Sequence, residues 1–310
     1  MKTILFLLLA FTFFGCTGYE PLFSSKNLSF YIENIQNING DGITKKIANN
    51  LSGNKIKSDV KNNYEFDGFE GQRGYTSFGK EHAKGKKEGD LKEFWHFGQY
   101  IDENDKDYNY PKNPYVNEVP EFNSIGKSTY RSLEKTGIYV LRAIALFLEL
   151  EEDHFDKFVN KGNSILRPIH YPPIKKEPND AVRAAAHGDI NLITLLMGAH
   201  GKGLQVKNNK GVWIDAIAEE DEIVVNVGDM LSRYTNNKLK STIHRVVNPP
   251  KEYWSKSRYS IPFFLHPIGT MKLNVLENCI DKENPKNYKD TSAHDFLINR
   301  LIDIGVMKKE

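Results

Sequence analysis

The sequence predicts a mainly β domain with flanking helices (α+β), a sandwich or barrel rather than a doubly wound sheet. Three observations predict it. Between residues 184 and 267 the chain is a series of short β-like runs separated by turns, with no helical pattern between them. A single long amphipathic pattern precedes this region. The two are separated by a proline-rich break at 168–178, where Pro172 and Pro173 forbid a continuing helix.

Taken in order, the chain starts unlike the rest of itself. Met1-Lys2 leads into an apolar run from Ile4 to Phe14 and then Gly15-Cys16. A basic start, a short apolar stretch and a small residue describe a secretory signal over 1–15, too short for a spanning helix of about 20 residues. The cysteine after the small residue resembles the lipobox of bacterial lipoproteins, which implies a lipid anchor at Cys16. Gly18 to Phe23 and Phe30 to Ile35 resemble the start of an outer-membrane lipopolysaccharide-assembly lipoprotein, so 16–51 is expected to be a lipoprotein-like segment. Residues 52–63, polar with Gly53 and several Lys and Asn, read as a junction or loop. The remaining 64–310 is expected to be one domain.

Residues 64–120 are rich in Gly, Lys and aromatics and show few periodic signals. From 121 to 150 an amphipathic helix is predicted: Leu141, Ile144, Ala145 and Leu148 share a stripe, with Leu133 two turns earlier. Later, Ile223, Val225 and Val227 alternate with Val224 and Asn226 before a Gly228-Asp229 turn, a strand signature. The tail, 290–307, reads as helical.

Composition excludes several function classes. Lys plus Arg is 42 against 40 Asp plus Glu, and no basic stripe is interleaved with stacking aromatics, so no nucleic-acid partner is expected. The two cysteines, Cys16 and Cys279, cannot make a disulfide framework if the first belongs to a leader. Without a CxxC or CxxH pair no thiolate-rich zinc site is expected.

The chemistry-bearing residues lie in three stretches. Two imidazoles and one carboxylate on one face, with open positions beside them, suit ferrous iron. Ala184-Ala185-Ala186-His187-Gly188-Asp189 supplies a close pair, because residues i and i+2 of a strand point to one side. Gly188 lets the backbone sit close to neighbouring chain. His244, within Thr242-Ile243-His244-Arg245-Val246, is the third ligand of choice. Arg258 and Ser260 share a face of another alternating run, and a guanidinium beside a hydroxyl suits a carboxylate. A second His-x-Asp, His154-Phe155-Asp156, follows the long helix in a charge-rich segment; helical spacing would turn its two side chains apart, so it is a decoy.

His-x-Asp, a His 55 residues later and Arg-x-Ser fourteen further on resemble the isopenicillin N synthase-like branch of the 2-oxoglutarate/Fe(II) dioxygenases, over about 64–305. Asn191 to Leu196, Val225 to Met230 and Asn248-Pro249-Pro250 agree with it. The resemblance implies a double-stranded β-helix (jelly-roll, cupin-like) core with a metal between its sheets. It implies Fe(II) on His187, Asp189 and His244, 2-oxoglutarate as co-substrate with its far carboxylate on Arg258 and Ser260, and O2 as oxidant. It further implies an oxidoreductase acting on a small-molecule substrate with release of succinate and carbon dioxide. An Asn-x-Tyr motif of plant-like members corresponds to Ile169-His170-Tyr171, which makes Tyr171 a co-substrate contact and leaves the Asn replaced. Arg167 and Arg183 could approach the pocket, although a charged surface position is the commoner explanation for such residues.

The same resemblance leaves alternatives open. Isopenicillin N synthase and the aminocyclopropane-carboxylate oxidases keep these ligands without 2-oxoglutarate, and an ethylene- and succinate-forming enzyme is another version. A catalytically inert, lipid-anchored fusion is a third. The family's opening strand and helix and its Asn-His-Gly strand do not occur before Tyr64, so the N-terminal layer is expected to be atypical and the domain truncated. An oxygenase of this class is expected in the cytoplasm, whereas the leader points to a membrane-anchored lipoprotein.

Overall fold

The computed structural model describes residues 57–65, 72–81, 88–100, 110–197, 203–217 and 222–303. The expected leader over 1–15, the Cys16 anchor and the lipoprotein-like 16–51 all lie outside them. A short helix α1 (Ser58–Asn62) is followed by strands β1 (Gly74–Thr76) and β2 (Glu93–His96) and the long helix α2 (Pro120–Phe147). Next come helix α3 (Asp156–Val159) and strands β3 (Ile165–Leu166), β4 (Ile169–Tyr171), β5 (Ala184–His187) and β6 (Ile193–Met197). Then follow β7 (Leu204–Lys207), β8 (Trp213–Asp215), β9 (Ile223–Val227) and helix α4 (Asp229–Tyr234). Strands β10 (His244–Val246) and β11 (Arg258–Leu265) and helix α5 (Ala293–Asp303) complete the described elements.

All strand pairings among these residues are antiparallel and divide into two sheets. The larger has the order β1-β2-β4-β11-β6-β9, with β3 also on β11; the smaller has the order β5-β10-β7-β8. Non-sequential neighbours such as β4-β11-β6 are what a rolled-up, jelly-roll chain produces. A small apolar cluster joins the sheets: Phe94, Ile169 and Tyr171 of the larger meet Ala184 and Val246 of the smaller, with Leu204 against them.

The main core lies on the other side of the larger sheet, against α2. Proline at the first turn suits that helix, whose missing N–H would be unpaired anyway. Phe122, Tyr130, Leu133, Val140, Leu141 and Ile144 recur at helical spacing and are buried, as the stripe requires. They meet Ile261, Phe263 and Leu265 of β11; the Tyr130 and Phe263 rings are edge-on at 5.1 Å. Gly126 lets α2 close onto Phe97, since a Cβ there would fall 2.4 Å from the ring. Strand β11 is therefore two-sided: its odd residues hold the helix and its even residues face the space between the sheets.

Three stretches differ from the sequence reading. The region 184–267, expected to hold only short strands, contains helix α4, which begins where Gly228-Asp229 reads as a turn. Gly228 is its extended N-cap, and burial of Met230, Leu231 and Tyr234 holds the segment in place. Part of the 52–63 junction is helical, and Lys61 of α1 is buried in an ion pair with Glu93 at 2.8 Å. Side-chain capture by β2 gives this polar segment structure that its composition does not signal. Within 64–120, β1 and β2 are too short to show periodicity, yet β2 carries the buried Phe94, Trp95 and His96.

Candidate metal and co-substrate site

Register builds the site. His187, the last residue of β5, and His244, the first of β10, are directly paired across an antiparallel ladder. Their ring centroids are 4.4 Å apart. Asp189 follows two residues after His187, and its Oδ1 lies 3.8 Å from His244 Nε2. One ligand atom from each of His187, Asp189 and His244 falls within 4.8 Å of the others, so the structure brings all three together. Gly188 sits tightly: a Cβ there would be 3.2 Å from both Asp229 Oδ1 and Ser241 Oγ.

Local hydrogen bonds set the free atoms. His187 Nδ1 is 2.7 Å from the Ala185 carbonyl and His244 Nδ1 is 3.1 Å from the Thr242 carbonyl. A carbonyl only accepts, so each Nδ1 carries the proton and each Nε2 presents its lone pair. Asp189 Oδ2 accepts from Thr194 Oγ1 at 2.7 Å and Asn226 Nδ2 at 2.8 Å, leaving Oδ1 turned to His244. Thr194 and Asn226 are directly paired between β6 and β9, which is why both reach one carboxylate oxygen. Burial would raise the Asp189 carboxyl, but the two imidazoles and these two donors hold it below its ordinary value. Desolvation, then the adjacent His244, push the His187 imidazole below the usual range, and the residue's exposure to solvent limits that shift.

Arg258, Ser260, Pro262 and Phe264 line the same cavity as the His-Asp-His cluster, one face of β11. Arg258 is 2% exposed and its guanidinium lies over the Tyr171 ring, 4.9 Å from the centroid. Its Nε and Nη1 have no hydrogen-bond partner among the described residues. A buried guanidinium with two idle donors and, among the described residues, no carboxylate beside it is a site for an anion. Ser260, also buried, pairs with Ile169, and Arg258 pairs with Tyr171. The Ile169 that replaces the plant-like Asn is an apolar wall of the cavity.

Of the two readings of Arg183 and Arg167, the surface position is the one that fails. Arg183 is buried beside Tyr171, with Nη2 donating to the Lys256 carbonyl at 3.2 Å; burial and nearby Arg258 push it down to about 10. Arg167 lines the cavity. The decoy pair separates as expected: His154 Nε2 is 2.9 Å from Tyr234 Oη, and Asp156 pairs with Arg142. Sequence reasoning passed over Thr194, Asn226 and Lys92 as site residues. Asn226, a lone polar residue inside the apolar run Ile-Val-Val-Asn-Val, was the available signal.

Two facing antiparallel sheets with a His-Asp-His cluster and an unpaired buried arginine define a jelly-roll oxygenase class. Residues 162–267 match the model of the 2OG-Fe(II) oxygenase superfamily. The chain is 30% identical to the proline hydroxylase buaE of Petromyces alliaceus over 74% of this chain and 75% of that protein. It is 41% identical to a solved 2OG-Fe(II) oxygenase family protein from Caulobacter crescentus, with a TM-score of 0.75 over 89% of this chain and 86% of that one. A full-length Neurospora crassa protein solved in complex with alpha-KG is 31% identical, with a TM-score of 0.69 over 88% and 81% of the two chains. The chain belongs to the 2OG-Fe(II) oxygenase superfamily. It spans about half the length of other curated relatives: its match to the 2-oxoglutarate-Fe(II) type oxidoreductase ppzC of Metarhizium rileyi, 38% identical, covers 52% of this chain and 44% of that protein.

Proposed function

We propose that this chain is an Fe(II)- and 2-oxoglutarate-dependent dioxygenase of a small molecule, with His187, Asp189 and His244 as iron ligands and Arg258, Ser260 and Tyr171 holding the co-substrate. The observation that carries this reading is the distribution of used and unused atoms. In each of the three ligands one polar atom is occupied by the protein, and the remaining Nε2, Nε2 and Oδ1 converge. Imidazole nitrogen and carboxylate oxygen in that ratio fit Fe(II).

Bound Fe(II) and 2-oxoglutarate would supply an oxidation in which O2 is consumed, the co-substrate yields succinate and carbon dioxide, and the substrate is oxidised. The chain's own part is positional. The Ala185 and Thr242 carbonyls fix both imidazole tautomers, and Thr194 and Asn226 keep Asp189 ionised and oriented. The idle Nε and Nη1 of Arg258 offer a planar fork to a carboxylate, with Ser260 and Tyr171 beside it. Apolar walls from Ile169, Val224 and Phe264 restrict water.

Anaerobic titration with Fe(II) and 2-oxoglutarate tests the proposal. A visible charge-transfer band is expected for the wild type and its loss for His187→Ala. Persistence of the band in that variant would defeat the ligand assignment. Oxygen uptake that runs without 2-oxoglutarate and forms no succinate would favour the oxidase alternative.

A further inference from the structure

The cavity has a second polar end, built around Arg167, that the metal and co-substrate residues leave unused. Arg167 N–H donates to the Pro262 carbonyl, so Arg167 lies four residues along the sheet from the Arg258–Tyr171 pair. At roughly 3.3 Å per residue that separation is about 13 Å. A five-carbon diacid anchored on Arg258 cannot span it.

The guanidinium of Arg167 is clamped. Its faces meet the Phe94 and Phe264 rings, 4.5 and 5.0 Å from their centroids. Its Nε donates to His96 Nε2 at 2.5 Å and Nη1 to Glu81 Oε1 at 3.4 Å. Nη2 makes no hydrogen bond with any described residue, which leaves a rigidly held donor on a cavity-lining side chain. The side chain is 21% accessible.

Charge at this end is already balanced. Lys92, another lining residue, pairs with Glu81 at 2.6 Å and Asp90 at 2.8 Å, and Glu81 also serves Arg167. Two cations thus face two carboxylates, in contrast to Arg258, which has no carboxylate partner among the described residues. An anion brought here would be desolvated without a free cation to meet it, which is costly. A neutral acceptor incurs no such cost, and its oxygen would satisfy Nη2.

We propose that Arg167 is the substrate-reading residue, and that the substrate is an uncharged compound whose ring or amide carries a carbonyl oxygen. The inference rests on the oxygenase reading of the site. Phe264, Ile169 and Val224 supply the apolar surface for the body of such a molecule.

Anaerobic calorimetry on the full chain loaded with Fe(II) and 2-oxoglutarate provides the test, with 2-pyridone, benzoate and benzene as probes. The wild type is expected to bind 2-pyridone at least roughly tenfold more tightly than either of the others, the value of one oriented hydrogen bond. Arg167→Met should abolish that preference and Arg167→Lys weaken it, with 2-oxoglutarate affinity unchanged in both. Tighter binding of benzoate, or a preference that survives Arg167→Met, overturns the inference. If Arg167→Met does not fold, a preference that Arg167→Lys leaves at wild-type strength overturns it equally. Wild-type protein that binds no 2-oxoglutarate overturns the oxygenase reading and this inference with it; normal 2-oxoglutarate binding without a lactam preference overturns this inference alone.

Discussion

His187 and His244 are register partners at the adjoining ends of β5 and β10, their rings 4.4 Å apart and tilted by 55°. Each donates its Nδ1 proton to the carbonyl two residues earlier in its own stretch of chain, so the two imidazoles are oriented by the same local device. Losing either should therefore remove the metal rather than merely slow turnover. His187→Ala and His244→Ala are expected to lose stoichiometric Fe(II) while keeping the wild-type circular dichroism; metal analysis after desalting reads this directly.

The support of Asp189 should be separable from its proposed role as a ligand. Thr194→Val and Asn226→Leu each remove one donor to Oδ2. Partners of this kind typically contribute about 10–100-fold in metal affinity. Competition with a chromophoric chelator should show weakening of that order for each variant, whereas unchanged affinity would make the two bonds incidental.

Co-substrate binding should fail selectively in Arg258→Gln. The guanidinium has two idle donors in a buried site, so its removal takes away a charge-assisted bidentate contact. Dissociation of 2-oxoglutarate measured on Fe(II)-loaded protein should weaken by at least about tenfold, corresponding to roughly 1.4 kcal/mol, with Fe(II) affinity retained.

Strand β5 is tied to the larger sheet through an acid. Asp90 Oδ1 accepts the Ala185 N–H at 3.2 Å while Oδ2 pairs with Lys92. The same Ala185 presents the carbonyl that orients His187. Asp90→Leu should then weaken Fe(II) binding although it touches no ligand. Hydrogen exchange at Ala185 should speed up in parallel; metal affinity equal to wild type would show the tie to be dispensable.

Stability should fall on acidification through a window set partly by His266. Burial is the largest cause that pushes this imidazole down to about 4 from its ordinary 6.5, with Arg167 acting in the same direction. The unfolded chain binds the proton and the folded chain does not between those values, so stability falls as pH drops from 6.5 to 4 and levels off below that for this group. The full effect is at most about 3.4 kcal/mol at roughly 1.36 kcal/mol per pH unit. Denaturant midpoints across this range should drop for wild type and drop less for His266→Asn.

Parts whose information is local or strictly ordered are legible in the residues alone. The stripe through Leu133, Leu141 and Ile144 specifies α2, which runs Pro120–Phe147, because burial at helical spacing needs no distant partner. His-x-Asp, His and Arg-x-Ser, in that order, pointed to a jelly-roll oxygenase, and period two alone put Arg258 and Ser260 on one face of β11. What depends on register between distant strands becomes visible in the folded chain. Thr194 beside Asn226 under Asp189, Lys61 against Glu93, and Arg167 between Phe94 and Phe264 are contacts across 32 to 97 positions. No periodicity encodes them, since a side chain's partner across a sheet is fixed by how strands pair. Burial, too, is a property of the assembled sheets, which is why Arg183 reads as a surface charge in the chain and lies beneath Tyr171 and Arg258 in the fold.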